Sequence, residues 1–309
     1  MRNNQGQVQL MNRHGVGDAF GLIVQHDLAT MLTFIPVVRA DSDIEGVHQV
    51  RVALRRMRAA ASVFSKAMPQ DILTQWTEEM RWIASALGPM RDLDVFINES
   101  LIPIAGKTPF TQGEAVLLEL TKNRRRQLFT EVQNTLESPR YHTFVEDFSR
   151  WLEGHQWFQG DMPVQDRLKM TQGVRGFAIK SFNKRFERLR LPVEDLASLP
   201  DAQLHALRIA CKKMRYTADF FSTLFPEDKL KPFIRQLKAI QTILGLMNDV
   251  AVLPTILNPL LEGVTDPDVW RYSGAVLGWR AKGYDDARKR LAHHWSQLLT
   301  TQPPWRCAS

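Results

Sequence analysis

The sequence predicts an all-α protein made of two helical bundles that arise from an internal duplication and are related by a pseudo-twofold axis. Three observations carry this expectation. Apolar residues recur at helical spacing nearly throughout the chain. No stretch alternates apolar and polar residues over several strands. One segment returns 157 residues later with its pattern intact.

Helices are expected near residues 17–38, 45–67, 71–87, 90–103, 113–136, 141–152, 165–189, 201–223, 228–244, 248–261 and 267–299. Punctuation supports the breaks: Pro69, Gly88-Pro89, Pro103, Ser138-Pro139, Pro163, Pro192, Pro200 and Pro226 fall between periodic segments. Asp43 and Asp201 are placed to cap helix N-termini. A composition change at Gly154–Pro163 divides a first half, 16–155, from a second, 156–300. Residues 1–15 and 301–309 are expected as tails, and the run Gln302-Pro303-Pro304-Trp305 as frayed.

Composition narrows the class. The 309 residues include 40 Lys+Arg and 33 Asp+Glu, for a formal charge of +7. At 44% hydrophobic residues the chain can bury a real core, which excludes wholesale disorder. Residues 1–155 hold 17 basic and 18 acidic groups and residues 156–309 hold 23 and 15, so the excess charge sits in the second part of the chain. A sequence pI near 9.5 with this asymmetry points to an anionic partner. No apolar run approaches the roughly 18 residues of a membrane span, so no membrane partner is expected. The N-terminus lacks the apolar region of a cleavable leader. Cys211 and Cys307 make neither a disulfide framework nor a zinc site, and they fit a reducing, cytoplasmic setting.

The repeat is specific. Between 47–69 and 204–226 there are nine identities in 23 positions without a gap, among them His48, Arg51, Met57, Arg58 and Phe64. The same offset lays Leu87-Gly88-Pro89-Met90-Arg91-Asp92 over Leu244-Gly245-Leu246-Met247-Asn248-Asp249.

On a helix at 100° per residue the repeated segment makes two stripes. Val47, Val50, Leu54, Met57, Ala61 and Phe64 form an apolar stripe for a core. His48, Arg51, Arg55 and Arg58 lie one residue later, about 100° around the helix. The second copy repeats this with Leu204, Leu207, Cys211, Met214, Ala218 and Phe221 beside His205, Arg208, Lys212 and Arg215. No acid lies between Val47 and Pro69, although a solvated helix face normally mixes charges at i, i+4. Each row spans roughly 15 Å, which suits an extended polyanion better than one compact phosphate.

The alternative reading pairs these rows with acids on other helices. Asp92 and Asp249 are the best-placed acids and are expected to orient basic side chains from behind. Asp94, Glu78 and Glu79 could serve in the first half only. A histidine opening each row can donate to a phosphate oxygen or serve structure alone. Further basic runs, Lys122-x-Arg124-Arg125-Arg126, Lys180/Lys184/Arg185 and Arg288-Lys289-Arg290, read singly as solvated faces.

Taken together, the segment His48-x-x-Arg51-Val52-x-x-Arg55-Arg56-x-Arg58, its second copy and the Leu-Gly-x-Met-x-Asp segments resemble the CHAD family, the conserved histidine α-helical domain. The resemblance covers roughly 16–300. It implies two helical bundles of long antiparallel helices whose basic faces converge on a central groove or pore. It further implies non-catalytic binding of inorganic polyphosphate, with polyphosphate granules as a partner. By position the binding residues would be His48, Arg51, Arg55, Arg56 and Arg58, then His205, Arg208, Lys212, Lys213 and Arg215. Arg125, Arg126, Arg288 and Lys289 are added as candidates lining the same groove. Lys in the second copy keeps charge but loses the bidentate fork of Arg. Many relatives carry a CYTH triphosphatase domain; its Glu-x-Glu-x-Lys signature is absent here, and a stand-alone member is expected.

Two other functions stand beside this one. A phosphoanhydride-processing enzyme would need paired carboxylates for magnesium beside the cations. Each repeat offers one shared Asp, no Gly-x4-Gly-Lys-Ser/Thr loop occurs, and His26-Asp27 lacks companion histidines at metal spacing. No cofactor or metal is therefore expected. A nucleic-acid binder would add stacking aromatics among the cations. Trp76, Trp82, Phe64, Phe220 and Phe221 follow apolar spacing, and only Tyr216 adjoins a basic row. Weak, salt-sensitive nucleic-acid binding is the most that is expected.

Overall fold

The computed structural model describes residues 8–160, 162–190 and 199–306, without the side chains of Asp201 and Asp285. The expectations for Pro192, Cys307 and an Asp201 cap lie outside the described residues. Among the described residues every regular element is a helix, apart from an isolated bridge between Gly15 and Gly173.

The first six helices are α1 (Val16–Arg39), α2 (Ile44–Phe64), α3 (Gln70–Phe96), a short α4 (Ile102–Ile104), α5 (Thr111–Glu137) and α6 (Pro139–Glu153). The next six are α7 (Val164–Thr171), α8 (Val174–Leu189), α9 (Asp201–Phe221), α10 (Glu227–Leu260), α11 (Pro267–Ala281) and α12 (Tyr284–Thr300). A π turn, Ile97–Leu101, joins α3 to α4. The side chain of Asp43 caps α2 by accepting from the Glu45 N–H at 2.8 Å.

Four boundaries differ from the sequence expectation, each for a physical reason. Gly88-Pro89 does not end α3, because Leu87, Met90 and Leu93 on both sides are buried and hold the helix through the proline. Pro254 and Pro259 likewise sit inside one continuous α10, which was expected as two helices. The expected helix 165–189 is broken where backbone bonds are diverted: Val16 N–H donates to Gln172 O at 3.1 Å and Val174 N–H to His14 O at 3.1 Å. The expected helix 267–299 is interrupted at Lys282-Gly283.

The tail around Trp305 is not frayed. Its ring is 1% exposed, stacks on Phe182 at 4.5 Å, and donates its N–H to Asn183 Oδ1 at 2.9 Å. Leu10, expected in the N-terminal tail, is buried, with its N–H donating to Thr223 Oγ1.

Both apolar stripes of the repeated segment are buried as their spacing requires. They enter one continuous core. At its centre Phe64 of α2 lies 5.7 Å from Phe221 of α9 and stacks on Phe177 of α8 at 5.1 Å. Phe20 meets Phe64 edge-on, as Phe177 meets Phe221, and these pairs are 157 residues apart. Such aromatic contacts add about 0.5–1.5 kcal/mol each beyond area burial. Gly113 lets α5 cross α11 closely, since a Cβ there would lie 2.0 Å from Asp268 O.

Among the described residues two helices are long and apolar enough by composition to cross a membrane, contrary to the expectation from unbroken runs. Windows in α1 and α10 reach mean hydropathies of 1.4 and 1.5. Here α1 packs along α2 and carries the buried ion-paired Asp27, while α10 packs on α9 and α12.

Candidate anion-binding site

Four cationic or histidine-bearing helices converge on one cavity of about 460 Å³. From α2 come His48, Arg51 and Arg55, whose 3, 4 spacing places them beside the buried stripe. Arg91 and Asp92 come from α3, Arg208 and Lys212 from α9, and Arg280 from α11. Asn248 and Asp249 of α10 and Glu99 of the π turn complete the polar wall. Six Arg and Lys side chains and one histidine therefore face three carboxylates.

Backbone and side-chain bonds hold these cations in place. Arg51 Nη1 donates to Ala84 O at 2.6 Å. Gly88 leaves room for it, since a Cβ there would stand 3.1 Å from the same nitrogen. Arg55 Nε donates to the Tyr216 hydroxyl of α9, a bond that crosses between the two repeated helices. Arg208 Nη1 donates to Asn248 Oδ1 at 3.0 Å.

The cavity is under-compensated, and the titration of its groups reflects this. Burial pulls the Lys212 ammonium down to about 8, and the nearby Arg208 and Arg55 add to the shift against the pull of Asp249. Burial also lowers Arg51, with Asp92 opposing and Arg55, Arg91 and Arg58 reinforcing. Arg208 is lowered by burial, and His48 by burial and then by Arg91. Asp92 moves up because burial outweighs Arg51, and Asp249 facing it adds to the rise. Cations crowded in a partly dry cleft focus a positive potential and attract an anion.

The other expected site residues go elsewhere. His205 lines an adjoining cavity with Arg208. Arg58 lines a separate surface cavity beside Arg81 and Glu78. Arg56 does not reach the cationic cavity: its Nε donates to buried Asp27 at 2.7 Å, and its guanidinium lies over Phe220. Arg215 pairs with Asp219 at 3.0 Å, and Lys213 is exposed. Arg125 is consumed by Asp41 at 2.7 Å and Asp94 at 2.8 Å. Arg126 is exposed and pairs with Glu119, Lys289 is exposed, and Arg288 donates to Leu199 O. Periodicity ranks residues by angle around one helix and cannot see acids arriving from other helices.

The acids are redistributed too. Asp92 and Asp249 were expected to pair with basic residues from behind; they line the cavity and form no ion pair among the described residues. Asp94, Asp27 and Asp219 do the pairing instead. His26-Asp27 is accounted for by the Arg56 ion pair. Among the described residues no group of three or more His, Cys, Asp or Glu could hold a metal ion. Phe64, Trp76, Phe220 and Phe221 are buried and Trp82 partly so. Tyr216, 4% exposed, offers no open face for a base.

Two cations escaped the sequence reading. Arg91 precedes Asp92 in the repeated Leu-Gly-x-Met-x-Asp segment, and that adjacency was an available signal. Arg280 had none, because it lies on α11 outside the repeat. It is 8% exposed, donates to Glu99 O at 3.1 Å and pairs with the Glu99 carboxylate at 3.6 Å.

A family model described as CHAD domain matches residues 22–258. Among solved structures, the chain is similar to the CHAD domain from the plant Ricinus communis. That match has a TM-score of 0.72 and 22% identity, covering 97% of this chain and 99% of the other. It is also similar to PptA from Streptomyces chartreusis, with a TM-score of 0.66 and 14% identity over 91% of this chain and 99% of that one. Two uncharacterised proteins of Mycobacterium tuberculosis are 23% identical over 240 residues, 74% of this chain and 43% of theirs. The chain thus spans less than half the length of these curated relatives. Identities this low speak for the fold.

Proposed function

The chain belongs to the CHAD domain family, and from that premise we propose that it binds inorganic polyphosphate without turning it over. The observation that carries the reading is that His48, Arg51 and Arg55 of α2 share one cavity with Arg208 and Lys212 of α9. A phosphate chain has about one charge per unit and no bases, so cations at regular intervals are the whole of its recognition. Arg supplies forked donors and Lys a point charge. Cellular polyphosphate, including granules, would be the partner.

The test is direct binding of long-chain polyphosphate against duplex DNA at equal phosphate concentration and moderate salt. Polyphosphate is expected to bind tighter, with affinity falling steeply as salt rises because counterions are released. Equal or tighter DNA binding rejects the reading.

One observation favours a second reading, a phosphoanhydride-processing enzyme. Asp92 and Asp249 line the same cavity and interact electrostatically, which brings one carboxylate from each repeat beside the cations. Incubation with polyphosphate and Mg²⁺, followed by phosphate release, separates the two. Binding without release supports the first reading, and turnover abolished by Asp92→Asn supports the second.

A further inference from the structure

A second cavity of about 290 Å³ abuts the cationic one and shares Arg208, Asn248 and Val252 with it. Beyond these residues the wall changes character. Leu204, Leu244 and Met247 are buried apolar side chains, with Ala251, Tyr284 and His205 beside them. An inorganic phosphate chain has no apolar surface to bury against such a wall. A phosphate chain that continues into an organic ring does. Ligand sites commonly join a largely apolar wall to a few placed polar groups.

The junction is ordered for that purpose. Arg208 is held by Asn248 at 3.0 Å where the two cavities meet, so a guanidinium stands where phosphate would pass into the organic part. The amide N–H groups of Asn248 and the ring nitrogens of His205 match the polar edge of a nucleobase. An alkyl chain in the same place would cover the half-buried Asn248 amide without pairing it, at a cost, whereas the exposed His205 would stay hydrated.

We propose that the two cavities hold one ligand, a nucleoside polyphosphate, with its phosphates among the cations of α2 and α9 and its base against Leu204, Met247 and Tyr284. This rests on the reading of the larger cavity as a phosphate site and adds a second class of ligand to it, one whose phosphates take the place of the inorganic chain.

The test compares ATP with tripolyphosphate by calorimetry on the full chain, in EDTA at fixed ionic strength. Tripolyphosphate carries the higher charge, so charge alone favours the inorganic ligand. ATP is expected to bind about tenfold tighter, the size of one seated base. Ala251→Trp, at an exposed position of α10 on the chamber wall, should bring that ratio to about one, and Ala251→Leu should lower it part way. The proposal is overturned if tripolyphosphate binds as tightly as ATP, if the ratio survives Ala251→Trp in a protein of unchanged circular dichroism, or if geranyl diphosphate outcompetes ADP. Tight long-chain polyphosphate binding with no ATP advantage defeats this proposal alone. Failure of every phosphate ligand to bind defeats the underlying reading as well.

Discussion

Arg55 of α2 donates its Nε–H to the hydroxyl of Tyr216 on α9, and the Tyr216 ring is flanked by two guanidinium groups, Arg55 at 6.0 Å and Arg215 at 5.0 Å. A side chain of one repeated helix thus orients a cation of the other. Removing the hydroxyl should free Arg55 without emptying the core. Tyr216→Phe is expected to weaken polyphosphate binding about fivefold, the worth of one hydrogen bond near 1 kcal/mol. Calorimetry and a thermal melt check this; a large fall in melting temperature with unchanged affinity contradicts it.

Arg51→Ala with Arg55→Ala should lower affinity at least about 100-fold, since each removes a charge-assisted contact of roughly 1.5–3 kcal/mol. The fold should persist, because neither residue forms an ion pair among the described residues and both crowd like charges. Unfolding by circular dichroism, with affinity intact in the refolded fraction, would show that the row serves structure.

Arg56→Ala should do the reverse. It strands the buried Asp27 carboxylate, 3% exposed at its side chain, and Asp219 stands only 4.0 Å from the same guanidinium. Breaking such a buried pair costs about 3 kcal/mol or more. Chemical denaturation should register the loss, while the folded fraction binds polyphosphate as before.

Lys212 gives the cavity a pH dependence. Its pKa near 8 means that the positive charge fades as pH rises through that value, so affinity should fall between about pH 7 and 9. Lys212→Arg should flatten this part of the profile. The sign for folding is opposite. The native pKa lies below the ordinary lysine value, so the unfolded chain binds the proton more tightly and this residue opposes folding below pH 8. The opposition lifts as pH climbs toward the unfolded value near 10.4. An affinity that rises across pH 8 would contradict the assignment.

Elements that depend on local order were legible in the chain. The Asp43 cap and the two apolar stripes were readable because a helix converts spacing into angle. Helix ends were less so. Pro89 read as a break and 245–247 as a gap between two helices, yet α3 and α10 run continuously through both, with Leu87, Met90, Leu244 and Met247 buried. Trp305 read as frayed because its partners, Phe182 and Asn183, lie more than a hundred residues away in sequence.

By itself the sequence determined the helical class, the paired basic rows and the candidates His48, Arg51, Arg55, Arg208 and Lys212. Tertiary structure decided which cations remain uncompensated. It withdrew Arg56 and Arg125 by bringing Asp27, Asp41 and Asp94 to them, and it added to the cavity Arg91, and Arg280 together with its partner Glu99. The physical reason is range: helical periodicity relates residues within one turn or two, whereas charge neutralisation depends on whichever groups the packed helices bring within a few ångströms of each other.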